Sequence, residues 1–333
     1  MEPHATGTTA PSKTSTTQKI LLVAAIGLSL ASLAWVLHDF EPEKLWGEVR
    51  AMNWGWVGAA VLFDILVYFL QGWRWSLLLR PVADIPYARS IRAIYVGLFA
   101  NEVLPLRTGE VIRCYLQARW SALPFTVTLS SAIIERIFDG FWLLVCLGVT
   151  TYYVTLPELY FTMGRILALV VVLGGALLAG AMFAPHVTRA TFENHRLLSK
   201  LNVLLEDLHI IGHSRYLYIS AAASLPYLLL QVLPIYALAN GYGIPLSIGQ
   251  GFALMVVLRI VSVVPQAPGN LGTFQAAAVF GLMLFGVDES LSKRFSFVMW
   301  AIITLPLLIA GFIALAITGL KLSEIRRQAE AAK

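Results

Sequence analysis

Apolar runs long enough to cross a bilayer recur along nearly the whole chain, and they constrain the fold more than any other property of the sequence. Of 333 residues, 58% are hydrophobic and only 13% are charged. A run of about twenty predominantly apolar residues is the length of a helix crossing the hydrocarbon core. No polar stretch is long enough to form a soluble domain. The expected fold class is therefore all-α, a polytopic integral membrane protein. Full spans are predicted at 20–37, 55–79, 125–150, 163–183, 216–240 and 295–318.

Two segments do not fit as plain spans. Residues 101–113 read Asn-Glu-Val-Leu-Pro-Leu-Arg-Thr-Gly-Glu-Val-Ile-Arg, and 265–275 read Pro-Gln-Ala-Pro-Gly-Asn-Leu-Gly-Thr-Phe-Gln. Each interrupts an apolar run with proline and glycine, one in each half of the chain. Broken backbone at membrane depth is tolerated only where protein buries it or a polar cavity wets it. The apolar pieces on either side, 91–104, 248–264 and 276–286, are short for full spans and suit re-entrant hairpins. Six spans with two such hairpins would form an inverted repeat, with its site where the hairpins meet. Plain helices with proline kinks are the competing layout.

Lys and Arg placement orients the scheme. Basic residues concentrate at the N-terminus, in 80–119, in 189–215 and after 320, whereas 38–53 is acidic and 152–162 and 241–247 hold no Lys or Arg. The positive-inside bias then puts both termini in the cytoplasm. The first hairpin, 91–120, enters and leaves on the inside, and the second, 248–294, on the outside. Lys293 and Arg294 run against this, since both would lie outside. Residues 1–19, rich in Thr and Ser, read as a disordered cytoplasmic tail. They do not form a signal peptide. The domain 20–320 is the membrane unit, and 321–333 a cytoplasmic C-terminal tail.

Three groups of residues could carry chemistry. In the first break, Pro105 ends the preceding run and Gly109 permits a turn. Glu110 then sits near a new helix start, where the dipole favours a carboxylate. Arg107, Glu110 and Arg113 are spaced to pair, and two arginines there could meet a lipid phosphate. A plain helix start with local ion pairs fits the same spacing. The second group is Glu135, Arg136 and Asp139, within about 100° of one helix face. Charges at that depth must face protein or water and be paired. The cluster has one acid in excess, and Arg259 is the expected cation, while Asp64 and Arg74 are too far apart on their helix to pair directly. Lining of a path and locking of helices both fit. The third group is the second break. Pro265 and Pro268 block a helix there, and Gly269 and Gly272 free the backbone. A helix restarting near Thr273 would aim amide donors inward. A packing kink is the alternative.

Other patterns carry less. Glu206, His209 and His213 have metal-like spacing but form the wet face of an amphipathic interfacial helix, so no metal site and no cofactor is expected. The tryptophans at 54, 56, 73 and 75 read as interfacial anchors. Cys114 and Cys146 belong to no ligand pattern. The net charge of +5 suits loops facing anionic lipid rather than nucleic acid. No P-loop is present, which excludes an ATPase of that type.

Taken together, Asn-x-x-Leu-Pro-x-Arg-x-Gly-Glu-x-x-Arg from Asn101, with Glu102 inside it, Glu-Arg-x-x-Asp from Glu135, and Pro-x-x-Pro-Gly-x-x-Gly from Pro265 resemble the flippase-like transmembrane domain of lysylphosphatidylglycerol synthases. The resemblance covers about residues 20 to 320. It implies a translocase of the bacterial inner membrane that moves an anionic or modified lipid between leaflets. Aminoacyl-phospholipids, hopanoids and polyprenyl-linked precursors are the cargoes implied, with lipid-synthesis enzymes as partners. The soluble aminoacyl-transferase domain of the synthases has no counterpart in this sequence. Asn270 stands where the family has glycine, and Gln275 where a glutamate is common, which puts an acid-dependent role there in doubt. A lipid-modifying transferase using Glu110, Glu135 or Asp139 as base, and a non-transporting scaffold, are the other readings.

Overall fold

A run of apolar residues in lipid has no option but to satisfy its own backbone, and every regular element among the described residues is helical. The computed structural model describes residues 16–104, 108–183, 211–263, 267–319 and Glu324. The expected spans appear as α1 (Thr16–Leu37), α3 (Trp54–Leu79), α6 (Phe125–Tyr153), α7 (Glu158–Phe183), the pair α8 (Arg215–Leu230) and α9 (Val232–Tyr242), and α12 (Glu289–Ile317), with α2 (Pro42–Ala51) after α1. Pro234 cannot donate to the carbonyl of Leu230, and the helix breaks there, at Gln231.

By length and composition, fewer spans qualify than the six expected. Four do: α3, most of α7, the combined α8–α9 and α12. A fifth arises if α1 and α2, bent by 80°, count as one. Although α6 runs for 29 residues, Glu135, Arg136 and Asp139 interrupt its apolar composition.

Both broken motifs form hairpins. Helices α4 (Tyr87–Val103) and α5 (Gly109–Ser121) flank the first break, and α10 (Ile248–Val261) and α11 (Thr273–Met283) the second. In the first, Gly97 lies against Arg113 and Gly109 against Asn101, so the helices run antiparallel. A Cβ on Gly109 would come within 1.9 Å of the Gly97 carbonyl oxygen, so only glycine permits this approach. In the second, Gly281 packs against Leu254 and Val257.

Contacts sort the ends of these elements onto two faces. On one, Arg294 binds Glu41 at 3.2 Å and Glu48 at 2.7 Å, and Lys293 donates to the His38 carbonyl at 3.1 Å. The Asn53 amide meets the Gly241 carbonyl at 2.9 Å on that same face. The acidic segment 38–53 thus neutralises Arg294, while Lys293 pairs with Glu289 at 2.8 Å, so both cations that ran against the charge scheme are balanced. On the other face, the Arg80 guanidinium lies over Tyr216, Arg92 over Trp120, and Arg89 donates to Ser121. The α4–α5 hairpin begins and ends at this basic face, and the α10–α11 hairpin at the acidic one. Buried Leu, Ile, Val and Ala of α3, α6, α9, α10 and α12 fill the interior around the second hairpin, and a separate cluster surrounds the first.

Candidate functional site

Charged residues at membrane depth must find each other, and here they form one continuous chain. Glu110 pairs with Arg113 at 2.9 Å, and Arg113 with Glu135 at 2.9 Å. Glu135 pairs with Arg74 at 3.2 Å, Arg74 with Asp139, and Asp139 with Arg136 at 3.1 Å. Three acids alternate with three bases, so the chain is neutral. Arg74 and Glu135 are 0% exposed and Arg113 2%. Arg74 also donates to Ser224 at 2.8 Å and lies over the Tyr227 ring, while Arg113 lies over Trp75. The network therefore joins α3, α5, α6 and α8.

This corrects one expectation. The cation completing the Glu135–Asp139 cluster is Arg74, not Arg259. Spacing along one helix could not show it, because the pairing runs between α3 and α6. Arg259 instead donates to Gln231 at 2.6 Å, at the α8–α9 break. Arg136 pairs with Asp139, while Glu135 is held by Arg74 and Arg113.

The hairpin tips meet. Asn270 donates to the Glu102 carboxylate at 3.2 Å, linking the second motif to the first. The backbone chemistry of the second tip is specific. Gly269 and Gly272 have φ of +73° and +86°, and Asn270 has +52°. Asparagine is among the few side chains that tolerate this region, which accounts for its standing where the family has glycine. Gly269 accepts from the Trp300 indole at 2.7 Å, and Ala267 donates to Ser29 at 3.1 Å. As expected, α11 restarts at Thr273. Gln275 is fully buried and accepts the Gly272 amide at 2.7 Å, so it caps that helix. At the first tip, the Asn101 side chain accepts the Gly109 amide at 2.8 Å, holding the start of α5.

Between the tips and α3, α8, α10 and α12 lies a cavity of about 250 Å³. Its charged lining is Asp64, Glu102, Glu110, Arg136 and Arg259, with Asn101, Gln231 and Asn270 among the polar groups. Glu110 and Arg136 are the two ends of the buried network, with side chains 36% and 44% exposed. Arg113, expected to touch a head group, lies behind them and is occupied by Glu110 and Glu135. Pro268, Gly269 and Gly272 shape the second tip. Pro105, Arg107 and Pro265 lie outside the described residues, as do Glu206, His209 and most of both tails. Among the described residues, no group of three or more His, Cys, Asp or Glu is placed to hold a metal ion.

Sequence reasoning set aside Asp64 and Arg74 and did not single out Gln71, Gln231 or Trp300. A signal was present. Asp64, Gln71 and Arg74 are polar residues inside an apolar run, and positions 64 and 71 share one helix face.

A profile of the lysylphosphatidylglycerol synthase TM region matches residues 22–311. Similar proteins include two UPF0104 membrane proteins of Methanothermobacter thermautotrophicus. One is 21% identical over 300 residues, covering 82% of this chain and 85% of that protein. The other is 20% identical over 295 residues, covering 80% and 86%. The glycosyltransferase AglD of Haloferax volcanii is 25% identical over 124 residues, which is 37% of this chain and 20% of that protein. No solved structure matches.

Proposed function

The chain belongs to the lysylphosphatidylglycerol synthase TM-region family, and we propose that it is a multi-pass translocase that passes the polar head of an anionic or modified lipid between leaflets. One observation carries this reading. Two hairpins reach in from opposite faces and meet at a charged cavity, through Asn270 and Glu102. About 250 Å³ accommodates a head group and not two acyl chains, so the tails would stay in lipid. Arg259, held by Gln231, and Arg136, paired with Asp139, supply guanidinium groups suited to a phosphate. The basic face would lie in the cytoplasm, with both termini there. A polar centre of this kind supports passage over a dry scaffold. The resemblance to AglD covers a fifth of that protein and lends no separate support to transferase chemistry.

The test is leaflet exchange of labelled anionic lipids by purified protein in vesicles. Arg259→Ala is expected to slow exchange roughly ten-fold or more, the loss of one charge-assisted contact. Arg165→Ala, in an exposed pair with Glu158 on α7, is expected to leave it unchanged. Parent-like rates in Arg259→Ala, with the parent active, would remove the cavity from the path.

A further inference from the structure

The six-membered network leaves each of its charges with a partner of opposite sign. One buried acid stands apart from it. Asp64 is 6% exposed, lines the central cavity, and forms no ion pair among the described residues; its Oδ2 has no hydrogen-bond partner. Ten residues further along α3, Arg74 turns to the network instead. The groups facing Asp64 are known from every surrounding element. Tyr68 is on α3, with Tyr95 of α4 tilted against it at 5.7 Å between ring centroids. Glu102 is on α4, Glu110 on α5, Arg136 on α6, Tyr227 on α8 and Arg259 on α10. The cation Arg259 hydrogen-bonds Gln231 and acts on Asp64 through space, without forming an ion pair with it.

A carboxylate left ionised in such a place carries a large desolvation cost with no ion pair to offset it. Taking up a proton removes that cost. We infer that Asp64 is an exchangeable proton-binding site of the cavity, charged in one state of the protein and neutral in another. The step is a simple transfer: an O–H bond forms at a carboxylate oxygen of Asp64 as a hydronium ion gives up its proton and becomes water, and the reverse step returns the proton to water. The cavity gives the proton a route, since Glu110 and Arg136 at its rim remain partly exposed. Gln71, two turns along the same face of α3, adds a second acceptor, Oε1, without a partner, so this wall of the cavity offers water oxygens to bind. An ionisable residue at this depth is commonly part of a proton or ion path. If lipid moves as proposed above, Asp64 is then where the movement couples to a proton gradient. The site itself does not depend on that reading.

Infrared difference spectroscopy of the full chain in vesicles reads the proton directly. The protonated-carboxyl C=O band is expected to appear on acidification and vanish on alkalinisation in the parent. It should be absent in Asp64→Asn, shifted but still titrating in Asp64→Glu, and retained in Glu110→Gln. An identical titrating band in Asp64→Asn would overturn the inference. So would removal of the band by sodium at fixed pH to the same extent as by base, since the site would then hold a metal cation. Intact titration with no lipid exchange would instead count against the translocase reading and leave this site standing.

Discussion

The α4–α5 hairpin carries Glu110 and Arg113 into a buried charge network, whereas the α10–α11 hairpin is seated by backbone. Its tip rests on α1 through Gly272 and Ala267, on α12 through the Trp300 indole, and caps itself with Gln275. The two halves share a shape and the same meeting point but not the chemistry that holds them. Ion pairs fix the first hairpin through long side chains on two other helices, α3 and α6. The second is fixed at short range, where a single added methyl group is felt. Two hairpins can therefore meet at one point while different chemistry holds each in place.

The largest effect should come from the first hairpin's anchor. Arg74→Ala leaves Glu135 and Glu110 sharing Arg113 alone, one buried acid in excess, and should cost roughly 3–5 kcal/mol. Arg136→Ala, half-exposed with one acidic partner, should cost about 1 kcal/mol or less. Thermal unfolding in detergent distinguishes them, and equal losses would show that the network is solvated throughout.

Next comes the second hairpin. A Cβ at Gly272 would meet the Ser29 carbonyl oxygen at 2.0 Å, at a φ that also disfavours it. Gly272→Ala should cost roughly 2–4 kcal/mol, overpacking and backbone strain together. Gly109→Ala, with a clash but no positive φ, should cost about 1–3 kcal/mol. The same unfolding measurement checks both, and a Gly109→Ala loss above that of Gly272→Ala would reverse the assignment of the stiffer tip.

The smallest effect sharpens the comparison at the join. Asn270→Asp keeps a left-handed-tolerant residue but places a second carboxylate beside Glu102. At neutral pH it should lower stability by about 1 kcal/mol, and acidification should restore it. A pH-independent loss would mean that the tips do not approach each other in the membrane.

The positions of the breaks were readable because proline and glycine act locally on their own backbone. The restart at Thr273, the start of α5 at Gly109 and the placement of Glu110 in its first turn all followed. The partners of Glu135 did not, since Arg74 arrives from α3 and Arg113 from α5, and periodicity along one helix carries no information about what another presents. Arg259 was misassigned for the same reason. Gln275 looked like a missing acid in sequence and is a helix cap in three dimensions. The shortfall in apolar spans also has a physical source, because the charges that anchor α6 are those that lower its hydropathy.

The alternation Glu110, Arg113, Glu135, Arg74, Asp139, Arg136 has a consequence for how this protein can change over time. A chain of six alternating charges obeys a parity rule. Dropping one member leaves an odd, unbalanced set in the bilayer. Dropping Glu110 with Arg113, Glu135 with Arg74, or Asp139 with Arg136 leaves balanced remnants, whereas dropping Arg113 with Glu135 isolates Glu110. Substitutions in a lineage should thus arrive as particular neighbouring couples, and the linear order of the ion pairs, rather than the order of residues in the chain, states which couples those are.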